Sequence, residues 1–251
     1  MITATILTKN CQKTLKKTLD SLINFSEIIV LDSGSSDETL TIAKKYPNVK
    51  VHTSPFLGFG PMHNYVAKLA NHDWILSIDS DEILTKELAN EILSLQLDSN
   101  HIYSIQRNNF YNGKHIKWCG GWHPDWVHRL YHRGKTGFSE DLVHEKVKKA
   151  DLVLTPLKNP LLHTPYLEIS DFLDKMQHYS ALFAEQNEGQ MGSLSQAIFH
   201  SWFAFIKSYI FKRGFLGGRE GFIISMYNGH TAFYKYLKLA ERTEKSYPRE
   251  D

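Results

Sequence analysis

Three carboxylates close the stretch Asp73-Trp74-Ile75-Leu76-Ser77-Ile78-Asp79-Ser80-Asp81-Glu82, and their placement is the strongest chemical signal in the chain. The apolar run from Trp74 to Ile78 reads as a buried strand. In an open α/β sheet, such a strand delivers whatever follows it to the edge where ligands bind. Residues two apart on a strand share a face, so Asp79 and Asp81 are expected to point at one ion. Hard oxygen ligands suit Mg2+ or Mn2+ carrying a phosphorylated substrate. The plainer alternative is an acidic loop that caps the helix beginning near Thr85. A D-x-D triplet alone does not decide between the two, because it recurs by chance.

The elements that must position these carboxylates alternate over the first hundred residues. Thr3 to Leu7 reads as a strand, followed by a helix with Leu15, Leu19 and Leu22 on one face. Glu27 to Leu31 is a second strand, and Ser35 with Glu38 has the spacing of a capping box opening a helix through Ala43. Val49 to Thr53 is a third strand, and Pro61 suits the first turn of a helix running to Ala70. Leu88, Ile92 and Leu95 mark the helix after the fourth strand. Such alternation implies right-handed crossovers and a mostly parallel sheet, an α/β fold. Polar clusters then gather at three strand ends: Thr8 to Asn10, Asp32 to Asp37 and Asp79 to Glu82. Three clusters on one edge carry far more weight than any one of them.

Beyond residue 100 the pattern changes. Ile102 to Phe110 and Lys114 to Trp118 flank Asn112-Gly113, a hairpin signal, and Val127 to His132 reads as a further strand. From about Ser170 the chain becomes helical and rich in aromatics.

Composition bounds the remaining choices. With 251 residues, 42% apolar and 22% charged, the chain is long enough for one large domain or a domain with an appendage. A net charge of +2 gives no general affinity for nucleic acid. Cys11 and Cys119 lie too far apart in sequence for a metal spacing and read as reduced thiols of a cytosolic protein. The stretch Met1 to Leu7 lacks a basic region and a cleavage site, so no secretory signal is expected.

Several segments, in chain order, resemble the pattern of glycosyltransferase family 2. Ile6-Leu7-Thr8-Lys9-Asn10 resembles its first-strand signature, and Ile29 to Thr39, with Asp32-Ser33-Gly34-Ser35 at its centre, resembles its nucleotide-binding loop. His63-Asn64 through Asp73-Trp74 to Asp79-Ser80-Asp81-Glu82 resembles the segment leading into its D-x-D motif. Within the family, Arg129-Leu130-Tyr131, Val143-His144-Glu145 and the aromatic tail look like the bacterial lipopolysaccharide core β-glucosyltransferases.

The resemblance implies a GT-A fold: a Rossmann-like, mostly parallel sheet over residues 1–168, with a helical extension over 169–251. Nucleotide binding is expected over about 1–100 and acceptor binding over about 101–168. It further implies an inverting, metal-dependent transfer of a hexose, glucose from UDP-glucose, onto an inner-core heptose. Another lipid-linked saccharide such as capsule, or sugar-nucleotide binding without turnover, are the other readings. Thr8 and Asp32 would line the nucleoside pocket, with Asn10, Ser33 and Asn64 also on the donor side. Asp79 would sit by the ribose and metal, and Asp81 would bind the ion bridging the phosphates. Where the family often carries Arg before the position of Asn64, this chain has His63, which puts a phosphate contact from that position in doubt.

One-step inversion needs a base on the face opposite the leaving group. Glu140, Asp141 and Glu145 are the candidates, and Glu145 is preferred over Asp141 because it follows His144 at the position resembling the family's catalytic one. The simple alternative is an ion pair of Glu145 with Lys146 or Lys148.

His123, Asp125, His128, His132 and His144 invite a zinc reading. On a strand, however, His128 and His132 stand about 13 Å apart at the usual rise, too far to share an ion. Contacts to an acceptor sugar or plain surface positions are the better reading, and Trp118, Trp122 and Trp126 suit either sugar stacking or core packing. In the tail, Ile198, Trp202, Phe205 and Tyr209 share one helical stripe, with Phe199 and Phe203 off it. His200, Ser201, Lys207 and Ser208 interrupt the run too often for a bilayer span, and Lys212, Arg213 and Arg219 follow it. This pattern suits the inner face of the cytoplasmic membrane, with a packed hairpin or a homo-oligomer interface as the alternatives. Gly214, Gly217, Gly218 and Gly221 are expected to break the helix before a second one.

Overall fold

In the computed structural model, residues 1–140 and 145–246 are described. The chain divides into two compact units, one of residues 1–108 with 125–163, the other of residues 109–124 with 164–251.

The first unit realises the strand–helix alternation. Its elements begin β1 (Ile2–Thr8), α1 (Leu15–Ser21), β2 (Glu27–Asp32), α2 (Thr39–Ala43), β3 (Val49–Thr53), α3 (Phe59–Leu69), β4 (Trp74–Asp79). Strands β1 to β4 are parallel, and every residue of β2 is buried, so its apolar run is continuous rather than alternating. Register decides what reaches the carboxyl edge: Thr8 lies beside Asp32, and Leu7 beside Asp79. β5 (Glu82–Leu84) and α4 (Lys86–Ser94) follow, with the Thr85 hydroxyl accepting from Leu88 N as a helix cap.

The rest of the sheet is antiparallel or mixed. β6 (His101–Tyr111), β8 (Asp125–His132) and β10 (Leu161–His163) extend it in the order β3-β2-β1-β4-β8-β6-β10-β5. β9 (Val153–Pro156) pairs in parallel with the start of β6. β8 runs against β4, placing Leu130 beside Leu76, and β10 runs against β5, placing His163 beside Glu82. Apolar layers cover both faces, one of Leu15, Leu19, Ile28, Val30 and Leu88, the other of Ile29, Leu31, Met62, Val66 and Tyr131.

Two local expectations give way. Asp79 and Asp81 do not share a strand: β4 ends at Asp79, the chain turns at Ser80-Asp81, and β5 starts at Glu82. Ser35 and Glu38 form no capping box, because α2 starts at Thr39 without a side-chain cap bond and Ser35 is engaged with Asp32.

The second unit holds the predicted hairpin: the end of β6 pairs with β7 (Lys114–His115) across Asn112 and Gly113, whose φ values of 50° and 73° are those of a type I′ turn. Three helices follow, α5 (Ile169–Gln186), α6 (Leu194–Ile206) and α7 (Gly218–Ser246). A π-helical turn over Lys207–Phe211 and a 3-10 turn over Gly214–Gly217 join the last two. Tyr111, Ile116, Phe172 and Ile224 form the core, with Trp118 and Trp122 packed against it. Trp126, of the first unit, is 46% exposed.

Gly221 lies inside α7 rather than breaking it, and the reason is steric: a Cβ there would stand 1.9 Å from the Gly214 carbonyl oxygen. No helix among the described residues is long and apolar enough to cross a membrane.

Candidate active site

The strand ends of β1 and β2 build a loop before they build a pocket. Asp32 is fully buried, and its carboxylate accepts from Thr8 Oγ1 at 3.0 Å, Gly34 N at 2.9 Å, Ser35 N at 2.8 Å and the Ser35 hydroxyl. Burial pushes the Asp32 carboxyl up, but these donors from Ser35, Gly34 and Thr8 hold it below the usual carboxylate range. Asn10, at φ 50°, donates its N–H to Ser35 Oγ at 2.8 Å and accepts from Ser36 N at 2.8 Å, locking the two loops together. Ser33 N and Oγ both donate to the Thr8 carbonyl, at 3.0 and 3.2 Å. Thr8, Asn10, Asp32 and Ser33 therefore meet at one edge, with Asp32 spent on shaping the loop.

At the end of β4 the turn is fixed from both sides. Asp79 N donates to Glu82 Oε2 at 2.9 Å, and Thr18 Oγ1 donates to the Ser80 carbonyl at 2.9 Å. Arg129 on β8 is buried and donates to both Asp79 and Glu82, while Arg107 on β6 donates to Glu82 at 3.1 Å and to Asp125 at 2.9 Å. Burial alone raises the Asp79 carboxyl, but Arg129, helped by His63, Arg107 and His163, brings it well below its ordinary value. Glu82 goes the other way: burial raises it, and the Asp79 charge adds to that against the pull of Arg129. Two carboxylates on one buried guanidinium form a rigid cluster whose members depend on one another.

Asp81 sits in the turn itself, beside that cluster. Its Oδ2 lies 3.5 Å from His163 Nε2, and the two side chains are 28% and 12% exposed. No group of three or more metal-ligating side chains exists among the described residues. A partly exposed Asp with a His beside it suits Mn2+, which accepts an imidazole together with carboxylate, diphosphate and water oxygens, whereas Mg2+ would rest on the Asp81 carboxylate alone. Asp79 keeps 37% exposure, but one of its oxygens is committed to Arg129.

Of the base candidates, Glu145 comes near the cluster through His63, whereas Glu140 accepts from Asn64. Glu145 Oε1 stands 3.8 Å from His63 Nε2, and His63 Nδ1 is 3.2 Å from Ser77 Oγ. His63 is buried and stacked on Phe138 at 4.2 Å; desolvation pushes its pKa down to about 4, so the ring is neutral at pH 7. Asn64 anchors the segment carrying these acids: Phe138 N donates to its Oδ1 at 2.9 Å, and its Nδ2 donates to Phe138 O at 3.0 Å and Glu140 Oε1 at 2.9 Å. Ser139 N bonds Lys146 O and Lys148 N bonds Gly137 O, which brings the flanks of that segment side by side. Asp141 and His144 lie outside the described residues.

The sequence model of glycosyl transferase family 2 matches residues 3–148, more than half of the chain, including the ends of β1, β2 and β4 but not His163. The chain belongs to glycosyl transferase family 2. An uncharacterized glycosyltransferase of Rickettsia bellii is 29% identical over 98% of this chain and 87% of its own length. The lipopolysaccharide core biosynthesis glycosyltransferase LpsC of Rhizobium meliloti is 26% identical over 96% of this chain and 92% of its own. Among solved structures, the mannosyltransferase of Pyrobaculum calidifontis in complex with GDP-Man and Mn2+ superposes with a TM-score of 0.51 at 15% identity, covering 99% of this chain and 88% of that one. The fold of this family 2 transferase is thus the GT-A α/β arrangement with added C-terminal helices.

Sequence reasoning passed over four side chains of the transferase's site. Glu82 sat in the quoted acidic run but received no role. Arg129 was noted only within Arg129-Leu130-Tyr131 and received no role, Arg107 carries no local pattern, and the antiparallel strands β6 and β8 bring both to β4. His163 reaches Asp81 through the β10–β5 pairing, which no spacing in the sequence announces.

Proposed function

We propose that this transferase moves a hexose, glucose from UDP-glucose, with inversion onto a heptose of the lipopolysaccharide inner core, acting peripherally at the inner face of the cytoplasmic membrane. The observation that carries the reading is the Asp81–His163 pair, partly exposed at the carboxyl edge beside the Asp79–Arg129–Glu82 cluster. The lipopolysaccharide core relative supports the acceptor class. The catalytic domain is taken as residues 1–168, with 169–251 as the helical extension.

In this reading Asp81, with His163 beside it, would hold Mn2+ or Mg2+ for the donor diphosphate, and Asp79, fixed by Arg129, would serve the ribose and ion side of the site. Such an ion offsets the charge that develops on the leaving nucleoside diphosphate. Thr8, Asn10, Asp32 and Ser33 shape the nucleoside pocket, and Asn64 holds the segment bearing the base. Glu145 takes the proton of the acceptor hydroxyl as the new bond forms; Asp141 is the substitute for that role. His63, neutral at pH 7, adds no positive charge of its own beside Glu145.

The test is a panel of nucleotide sugars with Mg2+ or Mn2+ and truncated lipid A–core acceptors, read by mass. A gain of one hexose on a heptose-terminated acceptor is expected. Transfer only to acceptors lacking heptose overturns the acceptor, and donor binding without any transfer overturns the enzymatic reading.

A further inference from the structure

Helix α6 has two apolar faces, and only one is used. Ala197 and Ser201 with His200 and Phe205 turn to α7, where His200 stacks on Tyr236 at 3.9 Å and Phe205 meets Phe222. Ile198, Phe199, Trp202 and Phe203 fall at the i, i+1, i+4, i+5 spacing of the other face, and each is more than half exposed, Trp202 to 70%. Phe211, at the end of the π-helical turn, is 70% exposed, and Phe215, in the 3-10 turn after it, is 49% exposed. Contiguous exposure of large apolar side chains on this scale marks a surface that works by being covered.

Charge says what covers it. Between Glu188 and Glu220 there is no Asp or Glu, while Lys207, Lys212, Arg213 and Arg219 are interleaved with the exposed aromatics. All four cations are exposed, and none has a carboxylate partner among the described residues. A second copy docked by a twofold axis on this face would bring eight like charges together. An anionic bilayer meets the same face with the opposite sign, aromatic rings at the headgroup level and cations at the phosphates.

We propose that the outer face of α6 and the turn after it, from Ile198 to Arg219, is a docking surface for an anionic lipid bilayer, lying in the interface rather than spanning it. This rests on and deepens the membrane part of the reading above, and its test involves no sugar chemistry, so its failure removes the membrane location while the transfer reaction is judged separately.

The full-length protein is floated with vesicles of phosphatidylcholine alone and with one quarter phosphatidylglycerol, in low and high salt. Binding is expected with the anionic vesicles in low salt and is weakened by high salt. Trp202→Ser with Phe203→Ser is expected to lower the bound fraction by about tenfold or more, with the far-ultraviolet dichroism unchanged because both side chains already face solvent. Lys212→Gln with Arg213→Gln is expected to lower partitioning about fivefold for each charge removed. Three results overturn the proposal: a wild-type protein that never floats on anionic vesicles, equal binding to neutral vesicles that the charge variant does not alter, and a concentration-dependent dimer that the Trp202 variant abolishes.

Discussion

His63 is buried neutral, and that makes the fold sensitive to acid in a specific window. Its imidazole is 3% exposed, stacked on Phe138 and bonded to Ser77, and its pKa falls from 6.5 to about 4 in the folded chain. A group with a depressed folded pKa contributes stability that is fully present above the unfolded value and is lost as pH falls towards the folded one. The window is therefore pH 6.5 down to 4. At about 1.4 kcal/mol per pH unit, His63 alone should remove roughly 2.5 kcal/mol between pH 7 and pH 4.5. Other groups titrate over the same range, so the comparison is with His63→Gln, which keeps a polar partner for Ser77 but has no proton to gain. Urea denaturation at closely spaced pH values reads the difference. The wild-type midpoint should fall more steeply than the variant's by about 1 M over that span, for a slope of about 2–3 kcal/mol per molar urea. Parallel curves for the two proteins, or a His63 ring that titrates near 6.5 by NMR, would refute the burial argument.

Arg129→Met should cost about 3–5 kcal/mol of stability, because it leaves the fully buried Glu82 and its neighbour Asp79 with only the more distant Arg107 as a shared cation; adding Glu82→Gln should recover part of the loss in chemical denaturation. Glu145→Gln should lower turnover by roughly 10²–10⁴ while leaving donor affinity in place, and if Glu145→Gln turns over normally while Asp141→Asn does not, the base is Asp141. Gly221→Ala should lower the melting temperature of the helical unit, since the added methyl would meet the Gly214 carbonyl at 1.9 Å, and overpacking of this kind costs about 1–3 kcal/mol; an unchanged melt means the two turns can separate without loss.

What the sequence made legible follows the range of its signals. The parallel half of the sheet was readable because each strand is an apolar run and each crossover helix has its own period, and both are local. The Asn112-Gly113 hairpin was readable because few residues tolerate two successive positive φ values. The Ser35–Glu38 spacing misled because a capping pattern does not reveal a competing acceptor, and here Asp32, buried 24 residues after Thr8 in sequence, takes the Ser35 hydroxyl. Reading Asp79 and Asp81 as neighbours on one strand face failed for a related reason. Glu82 accepts the Asp79 N–H and turns the chain, a bond that depends on Arg129 arriving from β8. His163 was invisible for the same cause, since antiparallel pairing across distant segments assembles the far side of the site. In the tail, helical period identified an apolar element but not which face would be covered: Phe205 and Tyr209 pack on Phe222, while Ile198 and Trp202 from the same stripe face outwards.

The central claim is that the turn after β4 binds a nucleotide sugar through a divalent ion held by Asp81 and His163. Calorimetric titration of UDP into the wild-type protein, with and without Mn2+, and into Asp81→Ala and His163→Ala, tests it most directly. The account predicts binding that requires Mn2+ in the wild type and is lost in both variants while their folded structure persists. Equal Mn2+-dependent binding in the wild type and Asp81→Ala would contradict it.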